Sequence, residues 1–195
     1  MSNYLSAILA GVFIGIGGAS CTLCGNQYIG ALLFCVGLYP ICAAKLNLFT
    51  GKVGFVQDST DVLSLPIILL GNWMGALLCA IFVLLARPEI APLVATTVEA
   101  RMGQPLVQTL SMAILCGVLV HIAVWLVRNK NQYLGIFICI PAFILCGFEH
   151  CVADMFTFAI SGEAISVSAN LHILLVAAGN SLGALATQQV LKKIS

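Results

Sequence analysis

The sequence predicts an all-α polytopic membrane protein: six spans in two inverted halves of three, with the second and fifth spans broken. Three observations carry this. Hydrophobic residues make up 61% of the 195 positions and charged residues 8%, at a mean hydropathy of +1.10. A soluble domain carries about a quarter charged residues, so this chain could not cover its own surface in water. Apolar runs near the ~20 residues that cross a hydrocarbon core recur along the whole length. Polar clusters interrupt two of those runs at corresponding places. Helices are required because lipid leaves each backbone group to be satisfied within its own segment, and the alternating pattern of a transmembrane barrel is absent. A net charge of +1 without a basic tract offers nothing to nucleic acid.

The first span covers about residues 5–20. Its flank, Met1-Ser2-Asn3-Tyr4-Leu5, has no positive region and no clear small-residue cleavage site, so we expect a retained helix. The second span, about 27–49, carries Pro40, then Lys45 and Asn47, ahead of Leu48-Phe49-Thr50-Gly51. The third covers about 63–86 and the fourth about 106–127. The fifth, about 133–158, carries Pro141, then Gly147, Glu149, His150 and Asp154. The sixth covers about 171–191. Proline removes a backbone donor and crowds the preceding turn, so breaks are expected in both spans. Irregular backbone at membrane depth is tolerated where it lines a cavity. Short connections make residues 1–195 one transmembrane domain with halves of about 5–86 and 106–191.

The halves echo each other. The step from Asn47-Leu48-Phe49 to Asp154-Met155-Phe156 matches, to within one residue, that from Gly71-Asn72 to Gly179-Asn180. Three spans per half set the two copies in opposite orientations, the arrangement in which discontinuous helices meet at a midplane site. Lys52, Arg128, Lys130, Lys192 and Lys193 fall on the side of the N-terminus, Arg87 and Arg101 on the other. The positive-inside rule then puts both termini in the cytoplasm, in a multi-pass protein of the cytoplasmic membrane.

Most of the nine Cys lie inside apolar runs, where the residue acts as a small hydrophobe. Cys21 and Cys24 have suggestive spacing, but no second pair or nearby His completes a site, so no metal and no cofactor is expected. Gly-x-x-x-Gly in the third and sixth spans, and Gly11 with Gly15 in the first, suit close helix packing. Asp58, Asp61, Glu89, Glu99 and Glu163 read as solvated loop charge, and His172 as an interfacial histidine.

The stretch Gly147-Phe148-Glu149-His150-Cys151-Val152-Ala153-Asp154-Met155-Phe156 sets two carboxylates and an imidazole inside an apolar run. Ionisable groups at membrane depth cost several kcal/mol each, roughly 2.5 to 3.5 for Asp, Lys or Arg on insertion scales, and by default mark a functional site.

This stretch resembles the fifth-helix motif of the formate/nitrite transporter family, Gly-Phe/Tyr-Glu-His-Ser-x-Ala-Asn-Met. Leu48-Phe49-Thr50-Gly51 resembles the end of its second-helix motif, Glu-Leu-Phe-Thr-Gly, and Gly71-Asn72, Ile114-Leu115-Cys116 and Ala123-Val124-Trp125 fit its third and fourth helices. The resemblance implies an aquaporin-like protomer in a homopentamer embedded in the bilayer, each protomer with its own pore for small anions such as formate, nitrite or hydrosulfide. It implies His150 as the central polar pore residue, with Thr50, in the loop that interrupts the second span beside Leu48, facing it. Phe34, Leu38, Phe49 and Phe143 fall where apolar residues narrow the pore, and Arg101 near the family's vestibule lysine, through a loop of unfixed register. Departures are Asn47 for the motif's Glu, Asp154 for its Asn and Gly117 for an Asn of the fourth helix. If Asn47 and Asp154 are mates in the repeat, acid and amide have traded places. His121, one turn beyond Gly117, either supplies the missing donor or bonds a neighbouring helix, the second being favoured. Lys45 has no family counterpart and is expected to snorkel toward the cytoplasm.

These residues predict a channel and not an enzyme: permeation of weak-acid anions coupled to a proton through His150, whose reference pKa of ~6.5 lies near working pH. Glu149, adjacent on the chain, points elsewhere and is expected to anchor the broken backbone. The alternative is an aquaporin-like channel for neutral solutes, which the lack of Asn-Pro-Ala pairs disfavours.

Overall fold

The computed structural model describes residues 2–194. Its described residues are helical, in the order α1 (Ser2–Leu23), α2 (Gln27–Leu33), α3 (Cys35–Ala43), α4 (Phe49–Lys52), a short 3-10 turn (Val53–Phe55), α5 (Ser59–Ala86), α6 (Ile90–Met102), α7 (Leu106–Lys130), α8 (Leu134–Leu145), α9 (Cys151–Ile160) and α10 (Val167–Ile194). Four of these, α1, α5, α7 and α10, are long and apolar enough to cross a membrane. They fall where the first, third, fourth and sixth runs predict spans. The second run is α2, α3 and α4, and the fifth is α8 and α9.

Long helices pair within each half, α1 along α5 and α7 along α10. Small residues set the closeness. A Cβ on Gly75 would run into the Ile8 carbonyl, and one on Gly183 into the Ile114 carbonyl. That is the small-residue packing expected where lipid supplies no hydrophobic drive between helices. Large apolar side chains such as Leu63, Phe82 and Leu85 point outward along the same helices, which suits hydrocarbon.

The breaks fall beyond the prolines. Pro40 lies inside α3 and Pro141 inside α8, and both helices run on for another turn. What ends them is a left-handed residue: Lys45 at φ 54° and Gly147 at φ 67°. In the first, Lys45 N–H donates to Cys42 O and Leu46 N–H to Ile41 O; in the second, Gly147 N–H donates to Ile144 O and Phe148 N–H to Phe143 O. Both are Schellman closures, which satisfy the last carbonyls and turn the chain out of the helix. Glycine adopts such a conformation freely, whereas Lys45 pays a steric cost. Four residues on, the chain re-enters a helix, at Phe49 and at Cys151.

A second departure lies between α5 and α7. The segment carrying Arg101 is a helix, α6, and not the loop the sequence suggests. Its Ile90, Val94 and Val98 are buried at a four-residue step, and it packs on α9 and α1. Pro92 and the polar residues between these three hide the step in the sequence.

Candidate functional site

The site is assembled where the two breaks face each other. Each is held by one buried asparagine. Asn72 of α5 accepts from Phe49 N–H at 2.8 Å and donates to Ala7 O at 2.8 Å and Asn47 O at 2.9 Å. Asn180 of α10 accepts from Cys151 N–H at 3.0 Å and donates to Ala113 O at 2.8 Å and Glu149 O at 2.9 Å. An amide is the side chain that can do this, offering an acceptor and two donors at once. These bonds satisfy a re-entering N–H and an orphaned carbonyl that lipid could not.

The bonds also correct the register of the repeat. Asn47 and Glu149 occupy equivalent places, as do Lys45 and Gly147 at the two closures, so His150 corresponds to Leu48. Asp154 is not the mate of Asn47, and the exchange of acid and amide expected from the sequence does not hold. The sequence match was made on Asn-Leu-Phe against Asp-Met-Phe, a similarity of side chains that the backbone does not share.

His150 caps α9. Its Nδ1 accepts from Ala153 N–H at 3.2 Å, and its Nε2 lies 3.0 Å from Thr50 Oγ1. An amide N–H can only donate, so in the neutral ring the proton sits on Nε2 and points at Thr50. Thr50 is 2% exposed and His150 3%. The Phe143 ring stacks on His150 at 5.8 Å between centroids, and Phe34 meets Phe143 edge-on at 5.7 Å.

Cavities lie on either side of this pair. One of about 440 Å³ is lined by Phe34, Phe143, His150, Thr157 and Arg101 and opens on the side of Cys21 and Thr22, at the end of α1. The other, of about 530 Å³, is lined by Leu38, Leu48, Lys45, Lys52 and Arg128, on the side of the termini. Between them stand buried apolar side chains and the Thr50–His150 pair. Phe49 is buried but borders neither cavity; its backbone, bonded to Asn72, is what it contributes here.

Glu149 and Asp154 are fully buried and point away from Thr50. The Arg101 guanidinium reaches both, with Nε 3.2 Å from Glu149 Oε2 and Nη1 on Asp154 Oδ1. His172, whose ring meets Phe158 edge-on at 5.5 Å, sets Nε2 3.9 Å from Glu149 Oε2. So His172 is part of this cluster instead of an interfacial group, and nothing in its sequence surroundings marks it. Glu149, Asp154 and His172 offer ligand atoms within 4.8 Å of one another, but Arg101 already supplies the cation between the carboxylates.

His121 lies elsewhere. Its Nε2 is 2.8 Å from Gln188 Oε1 and its ring packs on Phe55 at 4.6 Å, so it joins α7 to α10. Gly117 has a packing reason for lacking a side chain, since a Cβ there would sit 2.8 Å from the Asn180 Cα.

Residues 1–192 match the family model described as "Formate/nitrite transporter". Nitrite transporter NirC of Escherichia coli (strain K12) is 26% identical over 208 residues, covering 92% of this chain and 78% of that protein. The uncharacterized transporter YrhG of Bacillus subtilis is 34% identical over 149 residues, 67% of this chain and 56% of that one. Against Formate-nitrite transporter 3 of Toxoplasma gondii the identity is 26%, and the chain spans 38% of that protein's length. Among solved structures, one titled "FNT family ion channel" superposes with a TM-score of 0.89 at 24% identity, covering 100% of this chain and 90% of that one. Another, "Pentameric formate channel with formate bound", gives 0.79 at 20% identity, covering 99% and 94%. The relatives are transporters and channels, not enzymes.

Proposed function

The chain belongs to the formate/nitrite transporter family, and from that premise we propose that it conducts small monovalent weak-acid anions, formate foremost with nitrite and hydrosulfide beside it, coupled to a proton through His150. The observation that carries this is the Thr50 Oγ1–His150 Nε2 contact of 3.0 Å, set between two cavities and walled by Phe34, Phe143, Leu38 and Leu48. An anion stripped of water among those side chains faces a cost of several kcal/mol or more. With Nε2–H donating to Thr50, the Thr50 hydroxyl proton is free to meet the anion. That is one hydrogen bond, which offsets part of the cost.

A proton offsets more. To become an imidazolium the ring must take a proton on Nδ1 and give up the Ala153 N–H that caps α9. A neighbouring anion favours that charge, so ring protonation and anion arrival support each other. Transfer from the imidazolium Nε2 by way of Thr50 turns formate into formic acid, which leaves uncharged; the ring is then neutral with its proton on Nδ1, and loss of that proton with reprotonation of Nε2 restores the Ala153 cap. We propose further that the protein is a homopentamer in the cytoplasmic membrane with one such pore per protomer, on the analogy of the pentameric formate channel it superposes on.

Proteoliposomes decide it. Wild-type protein should take up formate, nitrite or hydrosulfide faster than protein-free vesicles, and His150→Asn should change how uptake varies between about pH 5 and 8. An unchanged pH profile and selectivity would remove His150 from the proton path. Glycerol uptake without anion uptake would make the pore a neutral-solute channel.

A further inference from the structure

The two mouths of the pore are electrically unlike. On the Arg101 side, the cation at the cavity wall is engaged by Glu149 and Asp154, and Arg87 is engaged by Glu89. Among the described residues Arg101 is the one cation lining that cavity, and no carboxylate lines it. On the side of the termini the cations are more numerous. Lys45, Lys52 and Arg128 all line the 530 Å³ cavity without a carboxylate, and Asp61 is the one acid that shares the adjoining cavity with Lys52 and Arg128. None of the three ion-pairs to an acid among the described residues. Arg128 is held over the Phe55 ring at 4.2 Å, which fixes its guanidinium without neutralising it. Lys52 closes α4, two residues beyond Thr50, and Lys45 stands exposed at the turn that ends α3. Beyond them Lys130, Lys192 and Lys193 lie on the same face, against Asp58 and Asp61.

A bias of Lys and Arg toward one face is expected of any membrane protein, but that rule concerns loops. It does not account for three unpaired cations in the wall of a cavity that ends at Leu38 and Leu48. Cations of one sign in a low-dielectric cleft focus the field and raise the local concentration of the opposite charge.

We infer that Lys45, Lys52 and Arg128 form the site that collects small monovalent anions, making the mouth on the side of the termini the high-affinity entrance and Arg101 a structural cation. This rests on the proposed anion conduction and adds a direction to it. An anion presented on the side of the termini half-saturates the pore at lower concentration than one presented on the Arg101 side.

The test is formate flux through the full-length protein in proteoliposomes, with sidedness fixed by protease access to a C-terminal tag. The substrate is presented in turn on each face at low ionic strength. Wild type should show the lower half-saturation on the termini side. Lys45→Gln with Lys52→Gln should raise that value about three- to tenfold and shift the half-saturation on the opposite face less. Raising the salt toward ~1 M, where the screening length falls to about 3 Å, should shrink the difference. Lys52→Glu should go further in the same direction. Equal half-saturation on both faces in wild type, or equal shifts on both faces in the double variant, overturns the inference while leaving anion conduction standing. No anion flux in wild type overturns conduction itself and the collecting site with it.

Discussion

Arg101 is the residue whose role changes most between the sequence and the structure. By position it is a candidate attractor for substrate; in place, it is the one guanidinium serving two fully buried carboxylates. Breaking a buried pair by removing one partner typically costs about 3 to 5 kcal/mol, because the other charge stays behind uncompensated. Arg101→Gln should therefore lower the thermal stability of the detergent-solubilised protein sharply, and Asp154→Asn alone should cost less. Combining them should recover part of the loss, since one carboxylate fewer is then stranded. Losses that simply add would mean the two residues do not share the cluster. The same reasoning explains why Asp154 is tolerated where the family motif carries an amide: it comes with a guanidinium within reach, on a helix that lies next to α9.

At the scale of elements, the breaks are held by backbone closures and by one asparagine each, not by the prolines. Asn72→Ala and Asn180→Ala would each leave one N–H and one carbonyl of a break, Phe49 N–H with Asn47 O or Cys151 N–H with Glu149 O, without a partner in a site closed to water. Each unmade bond costs about 1 to 3 kcal/mol, so either variant should give little folded protein, assayed by monodisperse elution in mild detergent. Aspartate at either position keeps the acceptor but loses both donors and should not rescue. Normal elution of Asn180→Ala would mean that the second break closes without the amide. Much of this level was legible in the sequence. Repeated Gly-Asn pairs gave away the two halves, and the ionisable residues in the fifth apolar run gave away the second break. The registration of one break on the other was not, because it resides in Lys45 and Gly147. They share a left-handed backbone and a hydrogen-bond pattern but no side-chain chemistry. Nor was α6 legible as a helix, since its buried face is only Ile90, Val94 and Val98. The pairing of Thr50 with His150 came from family likeness, as a separation of 100 residues leaves nothing local to read.

For the whole molecule, the arrangement of charge bears on orientation as well as on conduction. Lys45, Lys52, Arg128, Lys130, Lys192 and Lys193 share one face with few acids, while the other face holds Arg87 and Arg101, each already paired. Lys and Arg near the ends of spans resist translocation, whereas acids contribute little. The face of the termini should therefore stay in the cytoplasm. A C-terminal tag should be cut by added protease in inside-out vesicles and protected in right-side-out cells, and a cleavage site inserted at Gly162–Glu163, in the turn after α9, should show the reverse. Protection of the tag in inside-out vesicles would invert the molecule and turn the collecting mouth outward. In the orientation expected, the three cations of the collecting site face the cytoplasm and the Arg101 mouth faces out. A weak acid gathered as its anion from inside, and released through the neutral form past Thr50 and His150, would then leave into a mouth whose one lining cation is already engaged by Glu149 and Asp154 and holds the anion less.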